Sequence, residues 1–205
     1  MRKLRIAVDI DDVLAENAAG FVKYSNEKWG TNLTVDDYDE HWGAIWKVDS
    51  LEVERRAQEY HNSSTMRRYG HIGGAKEVLA RLSERHHLLI ATSSRMQMRA
   101  DTVEWLNEHF DGLFLDEDIH FAGIWDNIDD SSITRTKRDI IESFGIDVLI
   151  DDQLKHCLAA AAAGANSILF GEYSWNKIDD PPRGVVRCNS WAEVEREISR
   201  LESKA

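Results

Sequence analysis

Three short apolar runs end in the same abrupt way: Ile6-Ala7-Val8 runs into Asp9, Leu88-Leu89-Ile90-Ala91 into Thr92, and Val148-Leu149-Ile150 into Asp151-Asp152. Continuous apolar runs of this length are the pattern of strands buried on both faces, as in a parallel sheet. Between and after them lie segments with helical spacing: residues 75–82, where Val78, Leu79 and Leu82 share one face, then 98–110, 137–144, 154–163 and 191–201. Shorter apolar stretches at 119–122, 167–170 and 185–186 complete the set of expected strands. Strand and helix alternating from residue 72 onward predict an α/β domain, a doubly wound parallel sheet covered on both faces.

Residues 16–71 interrupt that alternation. Ala18, Phe21, Val22 and Tyr24 predict a helix from Asn17 to about Lys28 that Gly30 ends, and Leu51 to Tyr60 predicts another. The segment is rich in aromatics (Trp29, Tyr38, Trp42, Trp46, Tyr60, Tyr69) and in acids, and it has no strand pattern. Gly73-Gly74 closes it. The expected division is a core of residues 1–15 and 72–205 and a small, mostly helical insertion, 16–71, placed after the first strand.

Charge and composition exclude several functions. With 25 Lys and Arg against 37 Asp and Glu, the formal charge of -12 opposes non-specific attraction to a nucleic acid polymer or an anionic membrane surface. An anionic substrate therefore needs a local source of positive charge. No run reaches membrane-spanning length, and the basic start Arg2-Lys3-Leu4-Arg5 leads straight into a strand, with no apolar leader behind it. Cys157 and Cys188 are read as two reduced thiols, which makes the expected compartment cytoplasmic.

The strand ends carry the chemistry. Asp and Glu are almost never fully buried unless paired or bound to metal, so Asp9, Asp11 and Asp12 at one strand end predict a cation or shifted pKa values. Alternation along an extended chain would put Asp9 and Asp11 on one side and Asp12 opposite. Ligands in open parallel sheets bind beyond the carboxyl ends of the strands, where Asp151 and Asp152 would join them. Five clustered acids suit a hard cation with oxygen ligands, Mg²⁺ being the usual one beside a phosphate. No Cys/His set has zinc spacing. Thr92 and Ser93 offer hydroxyls and backbone N–H groups to phosphate oxygens, and Lys137 at a helix start offers the positive charge.

This set resembles the haloacid dehalogenase-like superfamily of phosphohydrolases. Its motifs are matched in order by Asp9-Ile10-Asp11-Asp12-Val13, Thr92, Lys137 and Asp151-Asp152, over residues 1–15 and 72 to about 190. Asp-Ile-Asp-Asp-Val-Leu-Ala-Glu, Ile-Ala-Thr-Ser-Ser and Leu-Ile-Asp-Asp-Gln are most similar to the 5'(3')-deoxyribonucleotidase-like family. Asp12 stands where those nucleotidases usually have Gly, and Ser94-Arg95 replaces a typical Pro-Ile beside the phosphate.

The resemblance implies a Rossmann-like core with a cap domain, and a Mg²⁺-dependent phosphomonoester hydrolase working through an aspartyl phosphate. Its partner would be a small phosphorylated metabolite, with (deoxy)nucleoside monophosphates as the narrower expectation and a sugar phosphate as the alternative. Asp9 would be nucleophile and metal ligand, and Asp11 general acid/base and a ligand through its carbonyl. One of Asp151 and Asp152 would complete the metal site, with Thr92, Ser93 and Lys137 on the phosphate. Asp12 is left a structural role. Trp42 and Trp46, four apart in the insertion, are candidates to stack on a base, and Arg95 and Trp125 lie beside motif loops. From a different class, a phospho-accepting signalling domain uses the same residue types, but it needs its acid pair early and its phosphorylated Asp mid-chain. A non-catalytic phosphate-binding module would be expected to have lost Asp9 or Asp11.

Overall fold

The computed structural model describes residues 2–122 and 136–203. Among them, six strands form one sheet: β1 (Arg5–Val8), β2 (His87–Thr92), β3 (Ile119–Phe121), β4 (Val148–Asp151), β5 (Asn166–Phe170) and β6 (Val185–Cys188). The order is β3-β2-β1-β4-β5-β6 and every neighbouring pair is parallel. The chain builds outward from β1 in one direction and then restarts at β4 on the other side, so the strand order reverses between β1 and β4. That is the crevice where doubly wound sheets bind ligands. The predicted Rossmann-like α/β core is what the chain forms.

Alternation along the strands sorts the core into two layers. Ile6, Val8, Leu88, Ile90, Val148 and Ile150 face one side, against Val78, Leu79 and Leu82 of α4 (Ala75–Ser83), Trp105 of α5 (Arg99–Phe110) and Val194 and Ile198 of α8 (Trp191–Glu202). Ala7, Leu89, Ala91 and Leu149 face the other, against Ile140 and Ile141 of α6 (Lys137–Phe144) and Ala160 of α7 (Leu154–Ala162). Ser190 caps α8 by accepting a bond from the Glu193 N–H. The buried Trp191 indole then donates to the Val13 carbonyl at 3.1 Å, which ties the last helix to the loop that follows β1. Cys157 and Cys188 are buried, unpaired thiols.

Between β1 and α4 the described chain is helical: α1 (Asn17–Trp29), α2 (Trp42–Trp46), α3 (Ser50–His61) and 3₁₀ turns at Val35–Asp37 and Thr65–Arg68. Entry and exit lie side by side, because the Glu16 N–H bonds the Gly70 carbonyl at 2.9 Å and the Ile72 N–H bonds the Leu14 carbonyl at 2.7 Å. The interior is aromatic. Phe21 stacks on Trp46 with centroids 5.4 Å apart, Tyr60 meets Phe21 edge-on and Trp29 meets Trp46 edge-on. Such pairs contribute about 0.5–1.5 kcal/mol each beyond their area, which lets so small a layer hold its shape. Gly20 is required there, since a Cβ at that position would meet the Tyr69 ring at 2.2 Å. No described helix is long and apolar enough to cross a membrane.

Candidate active site

Register puts the acids together. Val8 is level with Ile90 on one side and Ile150 on the other, so Asp9 and Asp151 leave adjacent strands at the same height. By the same alternation they point to the α6 side of the sheet, with Ala7 and Leu149. Thr136 caps α6 by accepting from the Asp139 N–H, and this sets Lys137, the first residue of the helix, over the two acids. Its Nζ lies 2.8 Å from Asp9 Oδ2 and 2.6 Å from Asp151 Oδ2, and all three side chains are buried.

The remaining oxygens are not equivalent. Asp151 Oδ1 accepts from the Gln153 N–H at 2.9 Å, and His156 Nδ1 stands 3.3 Å from both Asp151 oxygens. Asp152 Oδ2 accepts from the Trp175 indole at 2.6 Å and from Gln153 Nε2 at 3.1 Å. Asp9 Oδ1 is buried and has no hydrogen-bond partner among the described residues. Asp9, Asp151 and Asp152 each offer an oxygen, all within 4.8 Å of one another. An orphaned carboxylate oxygen beside two further buried carboxylates fits a hard divalent cation.

Asp11 and Asp12 separate after the strand ends. The chain is extended only to Val8, and Asp12 is left-handed, φ 53°, so strict alternation does not govern them. Asp11, half-buried, accepts from Ser94 Oγ at 3.3 Å. Asp12 turns away and accepts the Ala18 N–H with both oxygens, at 3.0 and 3.2 Å, in the first turn of α1. Its own carbonyl accepts from the Tyr173 hydroxyl at 2.8 Å. At the end of β2, Thr92 is buried, its Oγ1 accepts the Ser94 N–H at 3.1 Å, and Ser93 Oγ is buried with no partner among the described residues.

The electrostatics show a shortage of positive charge. Burial pushes Asp9 well above the usual carboxylate range, with Asp151 and Asp11 adding to the rise and Lys137 opposing it. Burial likewise raises Asp11, and it raises Asp152 well above the ordinary value with Asp151 and Asp9 adding to it. Asp12 is pushed up to about 7, chiefly by burial. Burial also works against the Asp151 charge, but Lys137 and His156 together outweigh it and hold this carboxyl low. For Lys137, burial is outweighed by Asp151 and Asp9, and the ammonium is held above the usual lysine range. Like charges about 4 Å apart repel by about 4 kcal/mol at an effective dielectric constant of about 20. Among the described residues one ammonium stands among four carboxylates, which leaves the cluster holding either protons or a cation.

Trp46 is 5% exposed, packed within the aromatic interior, with its indole N–H donated to Ser25 Oγ at 3.1 Å. It has no free face for a ligand, so of the two tryptophans only the half-buried Trp42 keeps exposed surface. Trp125 lies outside the described residues. Residues that sequence reasoning passed over are Gln153, His156, Tyr173 and Trp175. Gln153 and His156 follow the second acid pair directly, a signal of proximity, whereas Trp175 stands in an ordinary-looking loop.

Over residues 2–205 the chain matches the family model described as "5' nucleotidase, deoxy (Pyrimidine), cytosolic type C protein". It is 29% identical over 133 residues to a Staphylococcus epidermidis protein named "Putative 5'(3')-deoxyribonucleotidase", a match that covers 60% of this chain and 66%, just under two thirds, of that relative. A second relative, "Putative nucleotidase YqfW" of Bacillus subtilis, is 23% identical over 209 residues, covering 93% of this chain and 91% of its own. Among solved structures, a "predicted phosphatase" from Clostridium acetobutylicum superposes with a TM-score of 0.72 at 18% identity, covering 98% of this chain and all of that one. At that identity the superposition speaks for the fold.

Proposed function

Because the chain belongs to the cytosolic type C 5'-deoxyribonucleotidase family, we propose that it is a Mg²⁺-dependent phosphomonoesterase that hydrolyses deoxynucleoside monophosphates through an aspartyl phosphate. The observation that carries this reading is the buried Asp9–Lys137–Asp151 set with its orphaned Asp9 oxygen. Asp9, the Asp11 carbonyl and Asp152 would hold the ion. Asp152 is preferred to Asp151, whose two oxygens are already engaged by Lys137, Gln153 and His156. When bound, the ion offsets the charge of the carboxylates and of the phosphate.

The chain's own residues do the rest. The Asp9 carboxylate attacks phosphorus in line as the bond to the leaving oxygen breaks, and Asp11, oriented by Ser94, gives that oxygen a proton. In the second half Asp11 takes a proton from water as the water attacks the aspartyl phosphate, releasing inorganic phosphate and restoring Asp9. Thr92, the Ser93 N–H and hydroxyl, and Lys137 hold the transferring oxygens. Residues 16–71 act as the cap over a core of 1–15 and 72–205, closing on substrate to exclude water, with Trp42 as the aromatic available to the leaving group. The unpaired buried thiols support a cytoplasmic location.

The test is a screen of the purified chain with Mg²⁺ against an aryl phosphate, nucleoside monophosphates and sugar phosphates. Hydrolysis of the aryl phosphate and preference for deoxynucleoside monophosphates are expected. Equal or better turnover of sugar phosphates would remove the nucleotide assignment and leave the phosphatase.

Stability should respond to pH and Mg²⁺ together. Asp9, Asp11, Asp12 and Asp152 all have folded pKa values above the ordinary 3.8, about 7 for Asp12. From about pH 4 to 7 these four carboxyls hold more protons in the metal-free folded chain than in the unfolded chain, so their contribution to stability falls as pH rises. His61, lowered by burial to about 4, and His86 and His109, also lowered by burial, act with the opposite sign, and the four acids outweigh them. Asp151, shifted down, acts with the opposite sign only below that window. In EDTA the urea midpoint should be lower at pH 8 than at pH 5, and Mg²⁺ should raise it more at pH 8. A midpoint that climbs with pH in EDTA would contradict this account.

A further inference from the structure

We infer that Trp175 is a positioning residue that couples the metal-ligating carboxylate Asp152 to the seating of the inserted helices, an inference that rests on the Mg²⁺ phosphatase reading above. An indole N–H can only donate. At 2.6 Å from Asp152 Oδ2 it makes the shorter of the two side-chain bonds to that oxygen, Gln153 Nε2 standing at 3.1 Å. Both donors land on Oδ2, and among the described residues none falls on Oδ1. The carboxylate is thereby held with one oxygen committed to protein and the other left for a cation. Outer partners of this kind typically change metal affinity by about 10- to 100-fold when removed.

The indole is itself held from two directions. Tyr173 stacks on it, with centroids 4.7 Å apart and planes within 4°, and spends its hydroxyl on the Asp12 carbonyl. Asn176 ties the same turn down by donating from Nδ2 to the carbonyls of Asp152 and Phe170, at 2.9 and 3.0 Å. Against the assembly comes Tyr38 of the insertion, edge-on to Trp175 at 5.2 Å, its hydroxyl accepting from Asn17 Nδ2 at 3.0 Å. One ring thus orients Asp152 through its N–H and offers its surface to the insertion. A cation that fixes Asp152 fixes the plate on which Tyr38 rests, so Mg²⁺ should order the Tyr38 segment through Trp175.

Trp175→Phe removes the N–H donor and keeps an aromatic ring, smaller than the indole, for Tyr173 and Tyr38 to pack on. Isothermal titration of Mg²⁺ into the full chain should show affinity weakened by about 10- to 100-fold, with the circular dichroism spectrum unchanged. Hydrogen exchange around Tyr38 should slow on Mg²⁺ addition in the wild-type chain and not in the variant, a difference that a merely structural role for the ring would not produce. Wild-type affinity in Trp175→Phe, or the same Mg²⁺-dependent slowing, would overturn the inference while leaving the phosphatase reading intact. Failure of the wild-type chain to bind Mg²⁺ at all would overturn both. If Trp175→Phe does not fold, wild-type exchange with and without Mg²⁺ decides alone, and no slowing around Tyr38 refutes the coupling.

Discussion

Asp9→Asn protein is expected to fold and to hydrolyse an aryl phosphate slower than wild type by about four orders of magnitude or more, as removal of a nucleophile does in well-studied hydrolases. An amide has the shape of the carboxylate and none of its nucleophilicity. Stability should survive, because Asp9 is one of four carboxylates sharing a single ammonium, and burial already raises its pKa well above the ordinary range. Deleting one negative charge relieves that crowding even as the Lys137 contact is weakened. Initial rates in Mg²⁺, with the thermal midpoint measured alongside, check the expectation. Activity within tenfold of wild type in a folded variant would exclude Asp9 as the attacking group.

Lys137→Met should cost more stability than any other single change in the site. Methionine fills a similar volume, so packing is kept, but the Asp9 and Asp151 carboxylates at 2.8 and 2.6 Å lose their cation inside a buried pocket. Breaking a buried pair from one side costs about 3–5 kcal/mol, a large part of the roughly 5–15 kcal/mol that holds a domain folded. The loss should also depend on pH. Asp151 is the one member of the cluster held low, and without Lys137 only His156 opposes its burial, so its pKa rises, each unit of rise being worth about 1.4 kcal/mol. The urea midpoint of the variant should therefore fall below wild type by more at pH 8 than at pH 5, with phosphatase activity lost at both. A variant with wild-type stability at pH 8 would show that the ammonium does not neutralise the pair.

How the site could be read in advance follows from what each residue depends on. Asp9, Thr92, Asp151 and Asp152 were legible because each breaks an apolar run where a buried strand must end, and burial of strands is written locally, residue by residue. Lys137 was legible as a charge at a helix start, and Asp12 as the acid that turns from the site, although it does so through a left-handed turn and a bond to α1. Helical spacing pairs Trp46 with Trp42 as a candidate to stack on a base, but spacing tells which residues share a face and not whether that face is covered. Phe21 and Trp29, from another helix, cover it.

The strands along the chain, the acids at their ends and the lysine that must answer them were set by the chain's own pattern, since alternation and strand length are local properties, whereas the order of those strands in the sheet was not. The different surroundings of Asp151 and Asp152 are decided only by tertiary structure. These neighbours have the same side chain and nearly the same burial, and nothing in their immediate sequence separates them. What separates them arrives from distant crossovers of the sheet: α6 brings Lys137 to Asp151, and the turn after β5 brings the Trp175 indole to Asp152. A carboxylate's role is set by which of its oxygens is left without a donor, and that is a property of the packed molecule.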